Sequence, residues 1–226
     1  MAEIYIVPSW FFGVNIALEI LFGIITFLLA AYAFKLYNLS NEKEIKILGY
    51  SFSFISLSYF IVSIVNFIFL SISQNNTRLL MLEEIINLKN TLILTYLLFL
   101  IIGYVTLLYI TFHKKTSKTY LIILATTLIG VFFSKNLILT IYLFIALFLF
   151  FISYHYLMRC IKNKNEKTFM IFLGFASLFL SALSLIFVSK YHVGNAYVFS
   201  HIFDFIGYTL ILLSLLFVLK NGKKKK

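Results

Sequence analysis

Long apolar stretches alternate with short polar gaps along this chain, and about seven of the stretches are each long enough to cross a bilayer. They fall at about 9–35, 47–72, 91–112, 119–134, 137–158, 168–189 and 197–219. A crossing helix needs about 20 apolar residues. The pattern predicts an all-α, polytopic membrane bundle of seven transmembrane helices, with residues 1–226 forming one domain. Residues 119–158 as a single helix would be about 60 Å long at about 1.5 Å per residue, roughly twice the ~30 Å hydrocarbon core. The break at Ser134-Lys135-Asn136 therefore predicts a tight hairpin. Pro8, the only proline, stands where a first helical turn tolerates it. In the gap 73–90, Leu79, Leu80, Leu82, Ile85, Ile86 and Leu88 lie beside Glu83, Glu84 and Lys89. That spacing suits a short helix on the membrane surface and equally an extension of the third span.

Composition agrees with the pattern. Hydrophobic residues make up 62% of the chain and charged residues 12%, against about 45–50% and about 25% in soluble domains. The mean hydropathy is +1.01. Seven helices use most of the 226 residues, so no kinase, nuclease or other output domain is expected.

Charge sets the orientation. Of 19 Lys and Arg residues, 15 fall in one set of gaps: Lys35, Lys43, Lys46, Lys114, Lys115, Lys118, Arg159, Lys162, Lys164, Lys167, Lys220 and Lys223 to Lys226. Arg78, Lys89, Lys135 and Lys190 fall in the others. The positive-inside rule then puts the N-terminus outside and the C-terminus in the cytoplasm. A net charge of +11 would suggest nucleic acid in a soluble protein. Here the basic residues flank helices, so the expected partners are the lipid bilayer and anionic lipid at the basic loops and C-terminal lysines. Nucleic acid is not expected. Glu3 stands where a signal peptide carries positive charge, so the first span is expected to be retained. The plasma membrane is the expected location. Cys160 is alone, and no Cys/His cluster suggests a metal or other cofactor. Asn75-Asn76-Thr77 matches a glycosylation acceptor on the outer side.

The chain also looks duplicated. Asn41-Glu42-Lys43 recurs as Asn165-Glu166-Lys167, after which Gly49 and Ser56 fall opposite Gly174 and Ser181. Tyr32 and Lys35 match Tyr156 and Arg159. Phe99-Leu100-Ile101-Ile102-Gly103-Tyr104 in span three matches Phe203-Asp204-Phe205-Ile206-Gly207-Tyr208 in span seven. The predicted plan is 3+1+3: parallel repeat halves at 9–112 and 137–219, with span four as the inverting linker. This architecture resembles the SWEET and PQ-loop transporters and, more distantly, rhodopsin-like seven-helix bundles and prokaryotic seven-helix sensor input domains. The resemblance implies a parallel-repeat membrane fold and, for the transporters, solute movement. It carries over no site residue: no Pro-Gln pair occurs, kinking prolines are missing, and span seven has no mid-helix lysine.

Only two acids, Glu19 and Asp204, lie within spans. An ionisable group there costs about 2.5–3.5 kcal/mol on insertion scales and marks a candidate site. Measured from Trp10 and Tyr197, the two lie about 13 Å and about 10 Å inward at the helical rise, in the outer half. His201, Asp204 and Tyr208 share a helix face, and Asn15 lies one turn from Glu19. Span two carries Gly49, Ser53, Ser56, Ser63 and Asn66 at helical spacing, and span six carries Gly174, Ser177, Ser181 and Ser184. Such stripes are commonly close-packing surfaces, and Glu19 and Asp204 could lock helices together by bonding to each other or to His201. If the stripes face inward, helices 1, 2, 6 and 7 enclose an outward-open polar pocket. The duplicate positions of His201 and Asp204 are Leu97 and Leu100, so the polar cluster belongs to one half only.

The ligand- or proton-binding candidates are therefore Glu19, Asp204, His201, Asn15, Asn66 and Tyr208. The first functional reading is a receptor-like or adaptor module acting through a separate membrane partner protein. The alternative is a small-solute or proton-coupled transporter. The second alternative is an intramembrane enzyme using His201, Asp204 and Glu19. An enzyme is the less favoured class, because there is neither a His-x-x-x-His pair nor a nucleophile elbow.

Overall fold

A computed structural model describes residues 9–74, 82–112, 117–163, 166–191 and 193–223. After a single turn at Ser9–Phe11 the described residues form seven α-helices. They are α1 (Phe12–Ser40), α2 (Lys43–Gln74), α3 (Leu82–Thr111), α4 (Ser117–Phe132), α5 (Leu137–Asn163), α6 (Glu166–Tyr191) and α7 (Gly194–Lys223). All but α4 are long and apolar enough to cross a membrane. Several outrun the apolar stretches read from sequence: α1 continues to Ser40, and α7 begins at Gly194. Hydropathy marks the hydrocarbon crossing, whereas the backbone stays helical until a cap or break stops it.

The fourth helix departs from the expectation. The stretch 119–134 stood among seven spans of crossing length, but α4 has 16 residues. That is about 24 Å at about 1.5 Å per residue, shorter than the ~30 Å core. Its end is set locally. The Ser134 hydroxyl donates to Val131 O (2.7 Å), and the Asn136 side-chain oxygen accepts from the Leu139 N–H (3.1 Å), capping α5. The hairpin predicted at Ser134-Lys135-Asn136 is this turn. At the other tight turn, Asn41 adopts φ 56° and closes α1 by donating its N–H to Tyr37 O (2.8 Å). Asn tolerates this left-handed conformation better than most residues.

In the gap before span three, residues from Leu82 onward belong to α3, so from there the extension of span three is realised. Residues 75–81, with the Asn75-Asn76-Thr77 acceptor, lie outside the described residues. So do Pro8, His113, His192 and Lys224 to Lys226.

Each helix packs on its sequence neighbours α1–α2–α3 and α5–α6–α7, and these contacts are extensive. Thinner contacts join α3 to α5 and α7 to α1, closing a ring of six helices. The short α4 packs mainly against α3 and α5, outside the ring. Two glycines set the closeness of packing. A Cβ on Gly103 would sit 2.6 Å from Ile55 and 3.1 Å from Ser51 O. On Gly207 it would sit 2.7 Å from Leu178 and 2.9 Å from Gly174 O. Small residues at such crossings let backbones approach, which membrane helices depend on because lipid offers no hydrophobic drive between them.

The outside of the ring is apolar and its inside is partly polar. Phe27, Ile64, Leu121, Phe150, Phe187 and Phe205 are exposed, while Asn15, Glu19, Asn66, His201 and Asp204 are buried. A water-facing surface would reverse this arrangement. The six apolar helices and their apolar exterior are those of an integral membrane protein.

Candidate functional site

The buried polar residues collect around a cavity on the axis of the ring. Its volume is about 50 Å³, room for a few water molecules at about 10–15 Å³ each. Glu19 of α1, Asp204 and His201 of α7, and Ser181 of α6 all line it. The pocket was expected between helices 1, 2, 6 and 7, but α3 and α5 contribute as well. Tyr96, Leu100 and Tyr104 come from α3, and Tyr142, Ile145 and Leu149 from α5. Sequence inspection missed these because spans three and five carry few strongly polar residues. A tyrosine is half apolar by surface, and its hydroxyl becomes visible only when several converge.

The two carboxyls are held differently. Glu19, 3% exposed, is engaged by amides. Asn66 Nδ2 of α2 donates to both carboxyl oxygens at 2.8 Å, and Asn15 Nδ2, one turn before Glu19, donates to Oε1 at 2.9 Å. Asn15 Oδ1 in turn accepts from the Tyr197 hydroxyl of α7 at 2.8 Å. This chain of bonds ties α1 to α2 and to α7. It satisfies most of what a buried carboxyl needs.

Asp204 is more loosely engaged. Its Oδ2 accepts a bond from the Tyr59 hydroxyl at 3.5 Å, the long limit of a hydrogen bond, and Ser181 is its other hydrogen-bonding neighbour. A carboxyl has about four lone-pair sites, so Asp204 keeps accepting capacity at the cavity wall. Below it lies a cluster of hydroxyls. Tyr208 OH is 3.1 Å from Tyr59 OH and 3.1 Å from Tyr104 OH. Tyr208 is fully buried and joins α2, α3 and α7 at one point.

His201 is 7% exposed, and neither ring nitrogen has a hydrogen-bond partner among the described residues. Its ring stacks on both Phe11 and Phe22, with centroids 5.7 Å away in each case, and Tyr197 meets it edge-on at 4.6 Å. The aromatic rings hold the faces of the imidazole and leave its polar edge unspent.

All six sequence candidates thus lie in or against one region. Glu19, His201 and Asp204 line the cavity, Asn15 and Asn66 hold Glu19, and Tyr208 anchors the hydroxyl cluster. The lock imagined between Glu19, Asp204 and His201 takes another form, with the asparagines bonding Glu19 and the histidine unbonded. The small-residue stripes divide. Ser53 and Ser63 of α2 and Ser184 of α6 bond back to their own helices, and Ser56 reaches Gly23 O of α1 at 2.9 Å. These are packing contacts; Ser181 alone of the serines and glycines named in the stripes lines the cavity. Among the described residues no group of three or more His, Cys, Asp or Glu could hold a metal ion. No protein-family model matches this chain, and neither a curated protein nor a solved structure shows significant similarity to it.

Proposed function

We propose that this protein is a small-solute transporter of the plasma membrane, built as two like-oriented three-helix halves around one central site. The observation that carries the reading is the placement of the cavity. It lies between α1–α3 and α5–α7, is lined from both, and is bounded by seams thinner than the packing within either half. Parallel repeats with the binding site at their interface are a known transporter plan, in which one half rocks against the other. Weak seams beside strong internal packing favour that motion, and the unbroken course of all six long helices fits rocking of whole units better than local unwinding.

The duplication receives support from local geometry. Gly103 meets a carbonyl oxygen at Ser51 and a side chain four residues on at Ile55; Gly207 meets Gly174 O and Leu178 in the same relation. On this reading α4 is the linker that keeps the halves parallel. It crosses a thin or locally deformed part of the bilayer, which a short apolar helix accommodates at modest cost. The basic gaps then face the cytoplasm, where anionic lipid attracts them by about 1 kcal/mol per lysine.

A receptor-like module acting through a membrane partner is the second reading. The Tyr197–Asn15 bond favours it, because that bond joins α7 to α1 across a seam and resists opening there. Labelling separates the two readings. With Cys160→Ser removing the native thiol, Ala182→Cys places a thiol on the cavity wall. In oriented vesicles a transporter exposes that thiol to a small membrane-impermeant thiol reagent from either face. Labelling from one face only removes the transporter reading and leaves the receptor.

A further inference from the structure

We propose that the cavity binds a small alkylammonium ion, with its N–H groups donated to Asp204 and His201 and its charge against the surrounding tyrosine rings. The assignment rests on the central cavity being a ligand site, as the proposed function requires, and it names the class of ligand.

Charge is the first argument. Among the described residues the cavity wall includes two carboxyl groups and no lysine or arginine. An ionised Asp204 or Glu19 in this low-dielectric interior repels an anion and attracts a cation. Ring chemistry is the second. Tyr59, Tyr96, Tyr104, Tyr142 and Tyr197 line the space, and aromatic faces attract a desolvated cation.

Hydrogen-bond accounting is the third and the most specific. The site holds acceptors that the protein leaves unspent. Asp204 takes one long bond from Tyr59 and one interaction with Ser181. His201 is more than nine-tenths buried, yet both its ring nitrogens lack a partner among the described residues. A buried polar group without a partner is unfavourable, and a donor brought to His201 would relieve it. A neutral imidazole offers one acceptor nitrogen, and an alkylammonium headgroup brings several N–H donors. Glu19, already held by Asn15 and Asn66, supplies charge without a free acceptor geometry. The volume of about 50 Å³ matches a ligand of a few heavy atoms and excludes a sugar.

The test uses the purified full-length protein in detergent and reads its melting temperature against added methylammonium chloride. Sodium chloride, sodium acetate and tetramethylammonium chloride serve as controls. The expected result is a saturable rise with methylammonium alone, since tetramethylammonium has no N–H donor and acetate has the wrong charge. Asp204→Asn should raise the half-saturating concentration at least tenfold. His201→Phe preserves the stack on Phe11 and Phe22 and should also weaken binding, while the ligand-free melting temperature should rise because the unpaired ring nitrogens are gone. The assignment is overturned by the absence of a saturable methylammonium response, by an equal response to acetate or tetramethylammonium, or by unchanged saturation in both variants. Its failure is distinct from failure of transport. Methylammonium binding with one-sided labelling at Ala182→Cys keeps the ligand and removes transport, and two-sided labelling without binding does the reverse.

Discussion

The hydroxyl oxygens of Tyr104 and Tyr208 lie 3.1 Å apart, although the residues are 104 positions apart in the chain. Each follows a glycine that lets its helix approach a neighbour, Gly103 against α2 and Gly207 against α6. On the proposed duplication the two positions correspond, and their contact would place both beside the axis relating the halves. Their meeting point is the floor of the cavity, where Tyr59 joins them at 3.1 Å from Tyr208.

Removing the hub of that cluster should cost stability. Tyr208→Phe leaves the Tyr59 and Tyr104 hydroxyls without their shared partner in a buried setting, at about 1–3 kcal/mol. Tyr104→Phe removes one bond and should cost less. Thermal melts in detergent check the order, and a Tyr104→Phe/Tyr208→Phe double variant less damaged than the sum of the singles would show the coupling.

The glycine crossings make a sharper contrast. Gly207→Ala drives a methyl to 2.9 Å from Gly174 O and 2.7 Å from Leu178. A backbone carbonyl cannot step aside, so the α6–α7 pair must separate. The expected loss is about 1–3 kcal/mol. Gly13→Ala, with nothing within 4 Å of the added methyl, should be neutral or gain up to about 1 kcal/mol from helix propensity. Equal melting temperatures for the two variants would contradict the crossing.

The Glu19 clamp predicts a rescue. Asn66→Leu removes the amide that donates to both Glu19 oxygens and strands a buried carboxyl, at about 1–3 kcal/mol. Adding Glu19→Leu removes the stranded group and should recover much of the loss. If the double variant melts no higher than Asn66→Leu alone, the clamp is not what holds α1 to α2.

Topology can be read by labelling. In a Cys160→Ser background, Ser134→Cys lies in the α4–α5 turn and, on the proposed orientation, reacts with an impermeant maleimide from outside the cell. Leu39→Cys, near the end of α1 and exposed, should react only from the cytoplasmic side. Labelling of both from one side would mean that α1 and the α4–α5 turn end on the same face.

Much of this protein was legible in one dimension. Apolar length, set against bilayer thickness, determined the helices and their number, because a backbone in hydrocarbon must bond to itself. The rarity of charge within spans made Glu19 and Asp204 conspicuous, and helical spacing put His201 and Asn15 beside them. Mid-span tyrosines far from the interfacial belts were a signal that could have been read too.

Tertiary structure decided the rest. Hydropathy cannot tell a helix that packs in the ring from one that leans outside it, and α4 lies outside. Nor does periodicity say which polar groups satisfy each other: Asn66 reaches Glu19 across 47 residues, and His201 finds no partner among the described residues. Chain order fixes which side chains share a face of one helix. Whether two helices bring those faces together depends on ridge, groove and glycine at each crossing, and those contacts exist only once the ring has closed.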